Sequence, residues 1–403
     1  MRRLLRRGRW LVVAGALPLA CIGPITPDVE WVVHAVESFN LLNPAVIAAA
    51  DMDRDGDLDA IVGLPGAPDE GVEARVVLLI RQDNDDWDAY VIAQGALVTG
   101  VSALAIGDVD LDGRLDVAAA CGERLVYLNA PVDPTMTTRW LVSEIAESVL
   151  PEIVSWSDVA IGDIDGRNSL DVVATCDDPG RLSVFRSPLN ADTGAGWERV
   201  DVATTGQAGA ASLALRDLDA DTDLDILTAA PDEPDVTVAW FEHPGGRATA
   251  AFEKHEIGRA VGATYLAAGD LDADGLTDVV VSCPDDTRVV WYRHPGRATG
   301  RWDDYELIDY TRSVPTYLAI ANVDNAGLLD VIVASHTSDQ LLWFSAGTDA
   351  TRTWATNALY TASERIGRFA VGDVDLDGRP DVVIPLDSDL GARDRVEWLE
   401  NPF

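Results

Sequence analysis

Seven times along the chain, a short run in which small and bulky apolar residues alternate leads into an acidic turn, and an unbroken β-branched run follows. The first element of each unit is Val46–Ala50, Ala103–Gly107, Val159–Gly162, Ser212–Arg216, Tyr265–Gly269, Tyr317–Ala321 or Phe369–Gly372. Each contains an alanine (Ala48, Ala105, Ala160, Ala214, Ala267, Ala319, Ala370) whose alternate neighbours are mostly Ile, Leu or Val. Strand alternation sends these two sets to opposite faces, so a small face on one unit can receive a bulky face from the next. The run after the turn, such as Val279-Val280-Val281 or Val382-Val383-Ile384, reads as a second strand. A third ends in aromatics at Trp240-Phe241, Trp291-Tyr292, Trp343-Phe344 and Trp398-Leu399. A fourth opens at Trp87, Trp140, Trp197, Phe252, Trp302 or Trp354.

The turns begin at residues 51, 108, 163, 217, 270, 322 and 373, a period near 50. Units of that length that cannot bury both faces alone stack as solenoids or propellers. Four short strands per unit predict an all-β, seven-bladed β-propeller with four-stranded blades. The last unit lacks a fourth strand, because the chain supplies Arg395–Glu400 and then stops at Phe403. The orphan strand Glu30–Val36 at the other end can complete it, closing the ring and removing an exposed edge. The propeller is therefore expected over residues 28–403.

Residues 1–20 carry five arginines and no acid, followed by the apolar run from Trp10 to Ala20 and then Cys21. A basic start, a short apolar stretch and small residues predict an export signal over 1–20. The run is too short to span a bilayer as a helix. Leu17-Pro18-Leu19-Ala20-Cys21 resembles a bacterial lipoprotein signal, which predicts Cys21 as a lipidated mature N-terminus, with 21–27 as a linker. The expected location is the bacterial cell surface or periplasm, or the medium if cleavage occurs without lipidation. Any contact with membrane would then run through the lipid at Cys21.

Net charge is −38, from 68 acids against 30 bases. Such a surface repels nucleic acid and anionic membrane. Much of the acid lies in the seven turns. Five of them place carboxylates at positions 1, 3, 5 and 9: Asp51, Asp53, Asp55, Asp59; Asp108, Asp110, Asp112, Asp116; Asp217, Asp219, Asp221, Asp225; Asp270, Asp272, Asp274, Asp278; and Asp373, Asp375, Asp377, Asp381. Held in a nine-residue turn, these acids must converge, and at ~4 Å each like-charge pair costs on the order of 4 kcal/mol. A hard dication relieves this, and a flexible set of oxygen ligands describes Ca²⁺. Position 6 is Gly in four of the five and Thr222 in the other, as a sharp bend requires. An EF-hand would need Glu at position 12, where Val62, Ala119, Thr228, Val281 and Ile384 stand.

These loops and their period resemble the FG-GAP/VCBS repeat propellers, best known from the N-terminal region of integrin alpha subunits. The resemblance covers about residues 28–403, with the family's Gly-Ala-Pro element legible at Gly66-Ala67-Pro68. It implies that each loop joins the first and second strands of a blade and binds calcium, and that the protein is extracellular and engages proteins or glycans. Two loops depart from the pattern. In Asp163, Asp165, Asp171 the fifth position is Arg167, whose guanidinium can replace the ion. In Asn322, Asp324, Asp330 the first acid is an amide and Ala326 removes another. About five calcium ions are therefore expected, with 163–171 and 322–330 as the weak loops.

His243 and His294 share one repeat position and His34 and His255 another, which reads as structural. Cys121, Cys176 and Cys283 share a third and read as buried small residues. No catalytic residue is assigned. The opposite face is expected to carry Asp69, Glu70, Asp177, Asp178, Asp232, Glu233, Asp285, Asp286, His336, Asp339, Asp387 and Asp389 around Trp156, Tyr265 and Tyr317, a rim suited to a sugar or a cationic peptide. The resulting expectation is a monomeric, exported calcium-binding module for glycan or protein. The alternative is a lyase-like propeller enzyme acting on polysaccharide, with Tyr310, Arg312, His336 and Arg368 as the nearest candidates.

Overall fold

The computed structural model describes residues 31–36, 41–67, 69, 71–82, 86–147, 154–167, 169–176, 180–188, 196–203, 210–231, 237–246, 251–297, 299–311, 313–351, 353–388 and 394–403. The expected export signal, Cys21 and the linker 21–27 lie outside the described residues. So do Pro68, Glu70, Asp177, Asp178, Asp232, Glu233, Arg312 and Asp389.

Seven antiparallel sheets follow one another. After β1 (Val32–Val36), blade 1 is β2 (Val46–Ala50), β3 (Asp59–Leu64), β4 (Arg75–Arg81) and β5 (Trp87–Gln94). Blade 2 is β6 (Val101–Gly107), β7 (Asp116–Cys121), β8 (Arg124–Asn129) and β9 (Leu141–Glu147). Blade 3 is β10 (Trp156–Gly162), β11 (Asp171–Cys176), β12 (Arg181–Arg186) and β13 (Glu198–Ala203). Blade 4 is β14 (Ser212–Arg216), β15 (Asp225–Ala229), β16 (Val238–Glu242) and β17 (Glu253–Gly258). Blade 5 is β18 (Tyr265–Gly269), β19 (Asp278–Cys283), β20 (Arg288–Tyr292) and β21 (Glu306–Tyr310). Blade 6 is β22 (Pro315–Ala321), β23 (Asp330–Ser335), β24 (Gln340–Ser345) and β25 (Ala355–Thr361). Blade 7 has a broken inner strand, β26 (Arg365–Ile366) and β27 (Ala370–Gly372), then β28 (Asp381–Asp387) and β29 (Arg395–Glu400). Its outer strand is β1, paired from Val32 opposite Glu400 to Val36 opposite Val396. The ring is thus closed by the N-terminal strand, as the missing fourth strand predicted.

The second strands are buried along their whole length in blades 1 to 6, and in blade 7 up to the last residue, because each blade is covered on both faces by a neighbour. That is why they read as continuous β-branched runs rather than as alternation. Seven apolar clusters each span one pair of adjacent blades, including the pair made by blades 7 and 1. Near the axis the small and bulky faces interlock. A Cβ added to Gly107 would lie 2.8 Å from Ile161 of blade 3, and one on Gly269 would lie 2.6 Å from Ile320 of blade 6. Cys121, Cys176 and Cys283 end their second strands as buried free thiols. Burial pushes the Cys121 and Cys283 thiols up to about 12.

Candidate metal loops and the central channel

Each acidic loop joins the first strand of its blade to the second. The ninth position is the part that repeats most strictly. Its carboxylate is 0–1% exposed in all seven blades. One oxygen accepts the backbone N–H of position 2, as from Met52 to Asp59 at 2.8 Å and from Leu271 to Asp278 at 3.1 Å. The other accepts a backbone N–H at or just past the end of the third strand, from Arg81, Ala130, Ser187, His243, His294, Ala346 or Asn401. Position 9 is therefore a buried staple holding the loop onto the blade.

The rest of the loop winds tightly over this staple. Position 1 accepts the N–H of position 6, at 2.9 Å from Gly113 to Asp108 and from Gly378 to Asp373. Position 3 accepts that of position 5, and position 5 that of position 7. In the six loops where it is described, position 6 has positive φ, from 82° at Thr222 to 106° at Gly56, as the glycine pattern predicted. Position 4 is left-handed as well, at Arg54, Leu111, Gly166, Ala220, Ala273, Asn325 and Leu376. For non-glycine residues that conformation costs roughly 1–2 kcal/mol each. No composition signal marked position 4, because the demand comes from the closed turn and not from the residue.

In the loops starting at 51, 108, 163 and 217, positions 1, 3 and 9 each bring a carboxylate oxygen within 4.8 Å of the other two. The converging set is three acids rather than the four that spacing suggested. Asp55, Asp112 and Asp221 instead take the N–H of position 7. Burial, opposed by the two N–H donors, raises the ninth-position acids from 3.8 to about 7 at Asp59, Asp225 and Asp278. The same causes put Asp116, Asp171 and Asp381 at about 6, and burial with the nearby Asp324 charge puts Asp330 there. Asp51, Asp108 and Asp373 each keep one buried carboxylate oxygen with no hydrogen-bond partner. A buried acceptor left unpaired is unfavourable. Hard oxygens, mutual repulsion and an orphaned acceptor together fit a divalent cation.

The two divergent loops are built differently. Arg167 Nε pairs with Asp165, and Arg186 approaches the same carboxylate at 3.7 Å. In the sixth loop Ser345 donates to Asp324 at 2.9 Å, and Asn322 accepts Gly327 N–H at 3.4 Å. Arginines also reach acids of other loops: Arg114 pairs with Asp112, Arg379 with Asp377, and Arg293 with Asp272 at 2.5 Å.

The FG-GAP-like repeat profile matches residues 217–281 and 322–384, the acidic loops of blades 4, 5, 6 and 7 with their flanking strands. The chain carries FG-GAP-like repeats. No curated protein matches the sequence. Among solved structures, the propeller is similar to an Agrocybe aegerita lectin described as recognising non-reducing terminal N-acetylglucosamine, at 14% identity over 89% of this chain and 86% of that one, TM-score 0.55. It is also similar to the periplasmic gluconolactonase of Pseudomonas aeruginosa, at 17% identity over 79% of this chain and 86% of that one, TM-score 0.55. At these identities the likeness is one of fold.

Inside the ring, four residues that share one repeat position, five before the first position of their loops, converge. Arg368, just before β27 in blade 7, reaches Asp158 on β10 of blade 3 at 2.6 Å. Blades 3 and 7 are not neighbours, so this ion pair crosses the channel. Asp158 is 1% exposed and also accepts the N–H groups of Val159 at 2.9 Å and Leu213 at 3.0 Å. The guanidinium lies 4.9 Å from the Tyr265 ring centre of blade 5, and Tyr317 of blade 6 packs edge-on to Tyr265 at 5.5 Å. Arg368 also exchanges backbone hydrogen bonds with Ala45 and Ile47 of blade 1. Of the scattered candidates among the described residues, Arg368 alone sits here. Tyr310 ends an outer strand and is 60% exposed, while His336 lies in the exposed turn between β23 and β24. Asp285, Asp286 and Asp339 sit in second-to-third connections as expected, and Asp387 ends β28. Trp156 differs from expectation. It is 2% exposed, packed on Phe185 and under Arg199, so it presents no face to a ligand.

His34, His243, His255 and His294 hold repeat positions. His243 and His294 are buried, and each accepts the N–H of a glycine two residues on. His255 stacks on Trp240 and bonds Glu242, and His34 stacks on Trp398 and bonds Glu400. Glu253 joins Glu242 and His255 within 4.8 Å. In blade 7 its place opposite Glu400 is taken by Val32.

Proposed function

We propose that this protein is an exported, calcium-loaded propeller that recognises glycans. The calcium reading is carried by the three-carboxylate loops at 51–59 and 108–116 and by the orphaned oxygens at Asp51, Asp108 and Asp373. Asp217, Asp219, Asp225 and the acids of the loop at 270–278 supply the same chemistry, so five loops are assigned an ion. The ion would neutralise positions 1, 3 and 9, the last of which also staples the loop to its blade. The bound cation supplies charge neutralisation and loop rigidity. The glycan reading is supported by the lectin fold likeness and by a surface whose charge disfavours nucleic acid. The basic, then apolar, N-terminal stretch ending at Cys21 supports export with a lipid anchor. The test is a glycan array probed in calcium and in excess chelator. Saccharide binding that weakens on chelation is expected, and an array without any bound saccharide refutes the glycan reading.

A further inference from the structure

A groove of about 1010 Å³ runs between the outer strand of blade 4 and the β20–β21 connection of blade 5. One residue at its floor is unlike its counterparts in every other blade. Tyr292, at the end of β20, is 1% exposed, and its hydroxyl is buried with no hydrogen-bond partner. The residues at the same register are Leu79, Leu128, Phe185, Phe241, Phe344 and Leu399. Packing at this position therefore needs an apolar side chain, and three blades meet the need with Phe. The Tyr292 hydroxyl is surplus to the fold, and burying it unpaired is unfavourable.

The facing blade makes room for it. Gly258 ends β17, and a Cβ there would lie 2.4 Å from the Tyr292 ring and 3.0 Å from its hydroxyl. The other blades carry Ala93, Ala146, Ala203, Asp309, Tyr360 and Val36 at that register. A glycine in blade 4 and a tyrosine in blade 5 thus occur together, and only together do they bring a hydroxyl to the groove floor. Tyr305 holds the ring edge-on at 5.8 Å, itself lying under Arg288 at 5.2 Å, and Trp302 closes the wall at 4% exposure. The lining balances Lys254, Arg259 and Arg301 against Glu256, Asp303 and Asp304. On a chain of net charge −38, a lining with three bases and three acids disfavours neither sign and suits a neutral ligand rich in donors and acceptors. The partly exposed Tyr305 ring beside an unpaired hydroxyl suits the apolar face and hydroxyl rim of a sugar ring.

We propose that this groove is a saccharide subsite, with the Tyr292 hydroxyl bonding a hydroxyl of a neutral sugar. The proposal rests on the glycan-binding reading and adds its location. The probes are the methyl glycosides of neutral hexoses and of N-acetylhexosamines, titrated by calorimetry into the calcium-loaded protein and its Tyr292→Phe variant. Phe at this position is native to three blades, so the variant is expected to melt at or above the wild-type temperature. Its affinity for the bound glycoside is expected to fall about tenfold, the loss of one hydrogen bond. A second variant, Arg301→Ala with Asp303→Ala, is expected to weaken the same glycoside, whereas Tyr360→Phe on blade 6 leaves it unchanged. Wild-type binding that Tyr292→Phe and the rim variant both retain overturns the location and spares the glycan reading. A wild-type protein that binds none of the glycosides overturns both.

Discussion

Replacing Arg368 by Met keeps most of the side-chain volume and removes the charge that crosses the channel. What remains is the Asp158 carboxylate, 1% exposed, with two backbone N–H donors as its partners. Breaking a buried pair by deleting one member costs roughly 3–5 kcal/mol, since the surviving charge is stranded. The two donors offset part of this, and Arg368 itself keeps 17% of its side chain exposed, so the lower end, about 3 kcal/mol, applies. That corresponds to a loss of about 150-fold in the folding constant. Equilibrium urea unfolding at pH 7, followed by tryptophan fluorescence and by circular dichroism, measures it, and coincident transitions establish that one step is observed. Asp158→Asn removes the charge from the other side, and the double variant is expected to be at least about 1 kcal/mol more stable than the two single losses added together. An Arg368→Met protein within about 0.5 kcal/mol of wild type would refute the view that this pair braces the ring.

The metal loops predict a change of sign. Asp217→Asn keeps an acceptor for Thr222 N–H, as Asn322 does for Gly327. In chelator it should leave the melting temperature unchanged or raised, because a repelling charge is gone, whereas in millimolar calcium it should lower it. Asp278→Ala strips the acceptor from Leu271 and His294 N–H, so a loss of about 2–4 kcal/mol is expected with or without calcium, read by urea unfolding. Acidity separates the two states. Asp116 moves from 3.8 unfolded to about 6 folded, so between those values the native state holds the extra proton and stability falls as pH rises. The penalty is complete above pH 6, roughly 3 kcal/mol for this group. Chelated protein should therefore melt higher at pH 5 than at pH 7.5, and the order should reverse in calcium, because the cation displaces the proton; thermal melts at the two pH values decide it.

Blade number and closure were legible because both are matters of period and ends: seven loops, a last unit one strand short, and Glu30–Val36 left over at the start. The staple role of position 9 was hidden although Asp stands there in all seven copies. Its second partner is a backbone N–H 14–22 residues downstream, at Ala130 or Arg81 for example, which no spacing rule marks. Repeat phase paired His243 with His294, and Arg368 stood among the scattered candidates, but neither pattern pointed to Asp158 as its partner. Residues that recur are set by the blade, whereas a contact across 210 residues depends on where the ring brings non-neighbouring blades. Gly258 and Tyr292 escaped notice singly, since a strand-end glycine and an aromatic are ordinary in this fold until they face each other.

The most direct measurement is a count of calcium ions on the folded chain by native mass spectrometry, after chelator treatment and return to millimolar calcium. Five bound ions are expected, falling to four in Asp217→Asn. A folded protein that retains none under these conditions would contradict the account.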